Sequence, residues 1–149
     1  CTGLTSLDLS KNTALTYLDC YGCTGLTSLD VSKNIELTSL NCSGCTGLTS
    51  LDVSKNTALT SLNCSGCAGL MLLDIQNTSA LEQEGLFDET MNALTTLQVA
   101  GTSAWAYEQV ESWFSDYAPN NGKIYVDENT PQSVITAAED VDWEVIYQA

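Results

Sequence analysis

Apolar and polar positions alternate in a repeating pattern over the first half of the chain. From Leu26 to Asn34 the order is L-x-x-L-x-V-x-x-N, and a similar pattern restarts eleven residues later at Leu37. Two such halves make a unit of 22 residues, and the unit at 23–44 has close copies at 1–22 and 45–66. Self-similarity of this length predicts one small structural unit that is stacked on copies of itself.

The spacing is typical of leucine-rich repeats, in which the apolar residues of a short strand point inward and an asparagine or cysteine turns the chain. It resembles the short cysteine-containing repeats of bacterial surface proteins of the internalin type, over residues 1–77. The sequence predicts an α/β fold: a right-handed leucine-rich repeat solenoid with a parallel β-sheet and an irregular convex side. We expect one domain over 1–149, with regular repeats over 1–77 and irregular repeats plus a C-terminal cap over 78–149.

Each repeat has an aspartate half, Leu-Thr-Ser-Leu-Asp, and a cysteine half, and either could form the sheet. The aspartate half places strands near Leu4, Leu26, Leu48 and Leu70, and later near Leu94, Lys123 and Trp143. If the cysteine half formed the sheet, the consecutive strands near Leu59 and Leu94 would be 35 residues apart. The internalin-like resemblance favours the cysteine half. We expect the aspartate half to form the sheet, with short strands in both halves as the alternative.

The C-terminal part predicts a β-α-β-α-β cap that covers the last repeat. Strands are expected at 94–99, 123–126 and 143–147, and a short helix could begin with the capping-box spacing of Ser79 and Glu82, although Gly85 weakens it. Ser103 is a candidate N-cap, and Thr130-Pro131 starts a second helix. The inward face of the first helix is predicted to carry Ala106, Val110, Trp113, Phe114 and Tyr117.

Composition restricts the partners that the chain can bind. It has nineteen acidic residues, four lysines, no arginine and no histidine. Phosphate-backbone binding therefore lacks its main electrostatic contribution, which argues against nucleic acid. No apolar run approaches the ~20 residues of a membrane span. Residues 1–79 have a net charge of −3 (three lysines, six acids) and 80–149 one of −12 (one lysine, thirteen acids), which we interpret mainly as a contribution to solubility.

The chain begins with Cys1 already in phase with Cys23, and no capping segment precedes it. We interpret the sequence as a fragment of an extracellular or cell-surface protein. A lipidated Cys1 is an alternative, but the repeat register already accounts for this cysteine. Because an open strand edge invites pairing with another chain, we expect self-association through the uncapped N-terminal edge.

Three C-x-x-C pairs are separated by eighteen residues, a spacing that on its own would indicate a zinc site. The repeat explains them differently. One set replaces an inward apolar residue, where cysteine acts as a small hydrophobe, and the other replaces the turn asparagine, where a thiol is a weaker donor; the sets are Cys20, Cys42, Cys64 and Cys23, Cys45, Cys67. We expect mainly free thiols and no cofactor or metal, with some disulfide or a bound metal as alternatives.

A row of carboxylates occupies the same outward position in four repeats: Asp8, Asp30, Asp52 and Asp74. Neighbouring carboxylates would lie about 5 Å apart, near the separation of about 5 to 5.5 Å in retaining glycosidases. A catalytic pair needs unequal environments, whereas the repeat gives each carboxylate the same one. We therefore expect no enzyme and interpret the row as a solvated ladder, with a Ca²⁺ site as the alternative.

The sequence thus predicts a non-catalytic protein–protein interaction module of a bacterial secreted or cell-surface protein. The alternatives are a structural spacer in the cell envelope and a carbohydrate-active enzyme that uses the aspartate row. Because a specific site should differ from repeat to repeat, we expect the partner, another protein in preference to a glycan, where the repeat changes. The candidate residues are Leu72, Asp74, Gln76, Thr96 and Gln98, together with Asp52 and Asp30.

Overall fold

The computed structural model describes residues 1–82 and 86–148 and contains two parallel β-sheets and two helices in that part of the chain. The elements in chain order are β1 (Tyr17–Asp19), β2 (Ser39–Asn41), β3 (Ser50–Asp52), β4 (Ser61–Asn63), β5 (Leu72–Asp74), β6 (Thr96–Gln98), α1 (Ala104–Asp116), β7 (Lys123–Val126), α2 (Gln132–Asp140) and β8 (Glu144–Tyr147). Strands β1, β2 and β4 form the cysteine-half sheet, in the order β1-β2-β4. The others form the aspartate-half sheet, in the order β3-β5-β6-β7-β8.

The repeats stack in a fixed register of 22 residues. Leu18 lies opposite Leu40 and Leu40 opposite Leu62 in the cysteine-half sheet, and Leu51 lies opposite Leu73 in the other sheet. From Leu40 onward these leucines are fully buried in one core. The repeat at 45–66 therefore gives one strand to each sheet, β3 and β4, and the leucines of both halves fill the space between the sheets.

Strands form in both halves, and the aspartate half supplies the sheet that continues into the C-terminal part. The parallel strands expected near Leu48, Leu70, Leu94, Lys123 and Trp143 are present. The strands expected near Leu4 and Leu26 are not formed, which corrects that part of the prediction. The bond from Thr49 N–H to Thr27 O is 3.5 Å long, whereas the next one, from Met71 N–H to Thr49 O, is 2.9 Å. Pairing in the aspartate half thus weakens toward the N-terminal repeats, whereas in the cysteine half the bond from Thr38 N–H to Thr16 O is still 2.8 Å long.

The turn position of each half binds the preceding repeat through a buried donor. The Asn56 amide donates to Val31 O at 3.1 Å and to Asn34 O at 2.8 Å, and Asn34 makes the equivalent two bonds. Where cysteine takes this position only one bond remains: the Cys45 thiol donates to Cys20 O at 3.2 Å. The sequence-based expectation that the thiol is the weaker substitute for the amide agrees with these contacts.

Among the described residues the cysteine-half sheet runs from β1 to β4, and the segment from Leu86 onward supplies further acceptors to the β4 repeat. Earlier repeats bond Gly22 N–H to Ser43 O and Gly44 N–H to Ser65 O, both at 2.8 Å. After β4, Gly66 N–H instead donates to the Asp88 carboxylate at 2.7 Å. The Cys64 thiol donates to Leu86 O at 2.8 Å. Leu86 O and the Asp88 carboxylate thus accept from the β4 repeat the donors that Asn63 O and Ser65 O accept from the repeat before it.

Helices replace the cysteine half in the C-terminal repeats, so β6-α1-β7-α2-β8 continues the parallel sheet. Ser103 caps α1 as predicted, and its hydroxyl accepts Ala106 N–H at 3.0 Å. Four of the five residues predicted to face inward are buried. Tyr117 is half exposed, because the helix ends at Asp116 and Tyr117 is its C-cap; Tyr107 is buried in its place.

Aromatic rings fill the space beneath α1. The Trp113 ring stacks on Phe87 at a centroid distance of 5.2 Å and meets Trp143 edge-on at 5.7 Å. Gly122 lies against this cluster, and a Cβ atom there would come within 2.3 Å of the Trp143 ring. A side chain at position 122 would therefore displace Trp143, which packs against Trp113 in the core just before β8.

The helix expected from Ser79 is not seen in the described residues: Ser79 and Ala80 lie in a turn, and Leu81 and Glu82 are not helical. Its continuation through Gly85 falls outside the described residues. In the described part of the chain, neither helix has the length and apolar character needed to span a bilayer.

We predict that Asn56→Ala lowers the free energy of unfolding by roughly 1 to 3 kcal/mol, because two buried carbonyls each lose one of their two donors and a typical bond contributes about 0.5 to 1.5 kcal/mol. Asn56→Cys should cost less, since Cys45 still makes one bond in this position. Urea unfolding followed by circular dichroism measures both. Equal losses for the two variants would contradict the prediction.

Candidate functional site

The outer face of the aspartate-half sheet brings together most of the residues predicted as a binding site. Leu72 lies between Ser50 and Thr96 in one row of paired positions. Asp74 lies between Asp52 and Gln98 in the next row. Gln76 follows at the end of β5. Asp30 belongs to the preceding repeat, whose aspartate half forms no strand, so it lies outside this sheet.

Exposure separates these residues into three groups. Asp30 and Asp52 are exposed, and Leu72, Gln76, Thr96 and Gln98 are partly buried. Asp74 is only 8% exposed, so the aspartate row is not uniform. Met71, next to Leu72, is 49% exposed and is the larger open apolar group at this point. The sequence reasoning missed Met71, because the repeat places a threonine at this position and the change was not considered.

The same two rows continue across β7 and β8. Thr96 is followed by Lys123 and Glu144, whose side chains form an ion pair at 3.0 Å. Gln98 is followed by Tyr125 and then Ile146, both partly buried. Strands in a sheet are about 4.8 Å apart, so the surface from β5 to β8 extends over roughly 15 Å. The spacing of the C-terminal strands could have indicated these residues, had the register been extended beyond Gln98.

Each aspartate of the row holds the turn that follows it. Asp30 accepts Ser32 N–H at 2.9 Å, Asp52 accepts Ser54 N–H at 2.8 Å and Asp74 accepts Gln76 N–H at 3.0 Å. In the cysteine half, Asn41 and Asn63 accept Ser43 N–H and Ser65 N–H in the same way. This use of a short polar side chain to bond the backbone two residues on is an Asx-turn. The row therefore has a structural role in every repeat.

The folded structure shifts the pKa of Asp30 and the pKa of Asp74 in opposite directions. Hydrogen bonding by Ser32, first through its side chain and then its backbone, lowers the pKa of Asp30. Burial raises the pKa of Asp74, and the Asp52 carboxylate adds to the rise against the opposing hydrogen bond from Gln76 and the charge of Lys55. The expectation of identical surroundings along the row is therefore wrong at Asp74. The change arises because the repeat diverges from Leu72 onward.

A polar cavity of about 480 Å³ lies beside this surface, where the strands of the aspartate-half sheet end. Gln76 and Asn77 line it after β5, Asp127 and Glu128 after β7, and Gln148 after β8. The Gln76 amide donates to the Gln148 side chain, which connects the two ends of the surface. Among residues 1–82 and 86–148, no group of three or more acidic, cysteine or histidine side chains is arranged to hold a metal ion.

All seven cysteines are present as free thiols, and all except Cys1 are buried. Burial, with a smaller contribution from Cys45, raises the pKa of Cys20 to about 12. A hydrogen bond with the Cys67 thiol, together with burial, raises the pKa of Cys42. Thiolates are the reactive and metal-binding form of cysteine, so the raised pKa values of Cys20 and Cys42 favour inert, protonated side chains at these two positions.

No protein-family model matches the chain, and no curated protein matches it. Among solved structures, the chain is similar to the functional domain of InlJ from Listeria monocytogenes, which includes a cysteine ladder. The identity is 38% over 66% of this chain, and the TM-score is 0.38. The chain spans 23% of the length of that protein.

We predict that Asp74→Asn raises the free energy of unfolding at pH 7 and that the gain disappears by about pH 3, below the usual aspartate pKa of about 3.9. A carboxyl whose pKa is raised by folding favours the folded state at low pH and loses that contribution as the pH rises through its folded pKa. Asparagine keeps the turn bond, as Asn41 does. Urea unfolding at the two pH values measures the difference.

Asp30→Asn is the matched control for this prediction. Because folding lowers the pKa of Asp30, its carboxylate favours the folded state at neutral pH and loses that contribution as the pH falls through the folded pKa. We expect no gain at pH 7 from this change. A larger gain from Asp30→Asn than from Asp74→Asn would contradict the assigned environments.

We predict that a thiol reagent at pH 8 modifies about one cysteine of the native chain and all seven in denaturant, because only Cys1 is exposed. Elemental analysis of the same sample should find no stoichiometric zinc. Recovery of five or fewer thiols in denaturant without reductant would indicate disulfides, and one zinc per chain would refute the thiol-ladder interpretation.

Proposed function

We propose that this chain is a non-catalytic protein-interaction segment of a bacterial cell-surface or secreted protein, built as a right-handed leucine-rich repeat solenoid of the internalin type with a C-terminal β-α-β-α-β cap. The observation that supports this most directly is the change along the outer face of the aspartate-half sheet. The positions held by Ser50 and Asp52 become partly apolar across β5 to β8, through Leu72, Tyr125 and Ile146.

The composition of this face is that of a protein-binding surface. Interface energy concentrates in a few central aromatic or apolar residues surrounded by polar contacts that exclude water. Leu72 and Met71 supply apolar area, with Met71 49% exposed, and Thr96 and Gln98 supply adjacent polar groups. The Lys123–Glu144 ion pair lies at the far side, where exposed pairs contribute to orientation more than to affinity.

The aspartate row contributes to this surface through charge and turn geometry. Each carboxylate already accepts a backbone N–H, which orients it and stabilises its turn. The chain has no histidine or arginine to assist nucleophilic or oxyanion chemistry beside it. The raised pKa of Asp74 next to Asp52 is the one feature that favours the carbohydrate-active alternative. Its cause is burial, and a buried acid is less accessible to a sugar substrate.

A structural spacer is the second candidate, and the first repeats favour it. Outward positions there repeat Ser, Asp, Ser without variation (6, 8 and 10; 28, 30 and 32; 50, 52 and 54). A surface that uniform offers a partner little to discriminate. The two proposals differ in one respect: a spacer needs no specific contact near Leu72.

We expect that a binding partner, identified by screening the immobilised chain against a panel of purified extracellular proteins, binds at least tenfold more weakly to Leu72→Ser. The serine reproduces Ser50, the neighbour of Leu72 in the sheet, so the fold should be kept. Leu72→Thr reproduces Thr96 on the other side and serves as a second variant. Affinity is measured by surface plasmon resonance.

Asp30→Ser is the control, and we expect it to change affinity less than about twofold, since rim charges contribute little. A larger effect from Asp30→Ser than from Leu72→Ser would place the site on the uniform repeats and refute the assignment. If no protein of the panel binds reproducibly, the spacer is favoured.

A further inference from the structure

A second surface departs from the repeat on the outer face of the cysteine-half sheet. Strand β1 carries Tyr17 and is followed by Tyr21, where later repeats carry serine: Ser39 and Ser61 at the first position, Ser43 and Ser65 at the second. Tyr17 is 58% exposed and Tyr21 68%. The serine repeats form the same strands and turns, so the fold does not require either ring.

An acidic group lies between the two rings. Asp19 takes the position of Asn41 and Asn63 and is exposed. Its Oδ1 atom accepts Tyr21 N–H at 2.9 Å and the Asn41 amide at 3.2 Å. Its Oδ2 atom accepts only a long bond of 3.3 Å from the Tyr17 hydroxyl in the described part of the chain. Since each carboxylate oxygen can accept about two bonds, Oδ2 has room for a strong donor.

The charges around this group favour a cation as that donor. The neighbouring outward positions in β2 and β4 are serine and asparagine, and the chain carries a net charge of −15 with four lysines. The Asp19 charge raises the pKa of Tyr17, and a tyrosine phenol is protonated at neutral pH in any case because its ordinary pKa is about 10. Tyrosine faces attract cations within about 6 Å, and a planar guanidinium can stack on a ring while it bonds a carboxylate.

We propose that Tyr17, Asp19 and Tyr21 form a docking surface for an arginine-bearing segment of a protein partner. A guanidinium donates to Asp19 Oδ2 and lies against the tyrosine rings. Arginine is favoured over lysine because its flat, weakly hydrated head group can make both contacts at once. This surface is formed by the cysteine-half sheet and is independent of the Leu72 surface on the aspartate-half sheet.

The test uses the full chain and the probe peptide acetyl-Gly-Arg-Gly-Arg-Gly-amide, titrated by NMR below about 0.1 M ionic strength, where screening is weak. Resonances of residues 17–21 should shift first. The variant Tyr17→Ser with Tyr21→Ser keeps the net charge and reproduces the serine repeats. It should bind the peptide about fivefold or more weakly, since each exposed ring contributes a factor of about two to five.

Two further variants separate the contributions of ring and charge. Tyr17→Phe with Tyr21→Phe should bind within about twofold of the unchanged chain, because the rings remain. Asp19→Asn keeps the turn, as Asn41 does, and should bind about two- to fivefold more weakly. Asp30→Asn removes the same charge elsewhere and should have a smaller effect.

Three results would overturn the proposal. The first is equal peptide affinity for the double serine variant and the unchanged chain, which would mean that net charge alone attracts the peptide. The second is equal binding of a peptide with glutamine in place of arginine. The third is a shift of residues 17–21 with neutral maltohexaose and none with the arginine peptide, which would assign the surface to a glycan. None of these depends on Leu72, so this proposal and the proposed function fail separately.

Discussion

This structure depends on one constraint. The backbone hydrogen-bonding groups of each repeat are satisfied by the next repeat, at a fixed register. The buried Asn56 amide donates hydrogen bonds to two carbonyls of the preceding repeat, and the Cys45 thiol donates to one. A typical bond of this kind contributes about 0.5 to 1.5 kcal/mol, so the two bonds of one asparagine are comparable to burying one leucine side chain. The inward positions therefore tolerate little change, and extra residues are accommodated only in the connections, such as the α1 connection between β6 and β7.

The outward positions are not subject to this constraint, and the residue type varies from repeat to repeat at these positions. Ser and Tyr both occupy the outward place of β1, β2 and β4, and Ser, Leu, Thr, Lys and Glu share one row of the other sheet. Aspartate is the exception among outward residues, because its carboxylate holds the following turn. An outward aspartate is thus weak support for a binding site, whereas an outward leucine or tyrosine is stronger support.

The repeat made the core, the parallel pairing and the cysteine positions predictable, because each inward position needs the same kind of side chain in every copy. The Ser103 cap and the inward face of α1 were also predictable from local pattern. Three features were not. Asp74 is buried because later strands pack beside it, and Tyr117 is exposed because the helix ends one residue earlier. The aspartate-half strands expected near Leu4 and Leu26 are not formed, and the bond between Thr49 and Thr27 is lengthened there. Each depends on contacts between elements that sequence spacing does not encode.

The two outer faces differ in chemistry. In the described residues, the exposed tyrosines of the cysteine-half sheet lie at and just after β1, and Leu86 and Asp88 accept donors from the repeat of β4. The aspartate-half sheet continues to β8 because α1 and α2 take over the opposite side and bury the core with Trp113 and Phe114. Three strands lie between the surfaces at Tyr17 and Leu72 along the sequence: β2 and β4 in the cysteine-half sheet and β3 in the aspartate-half sheet. The leucine core between the sheets is close-packed, so it holds these surfaces in a fixed relation without any contact between them.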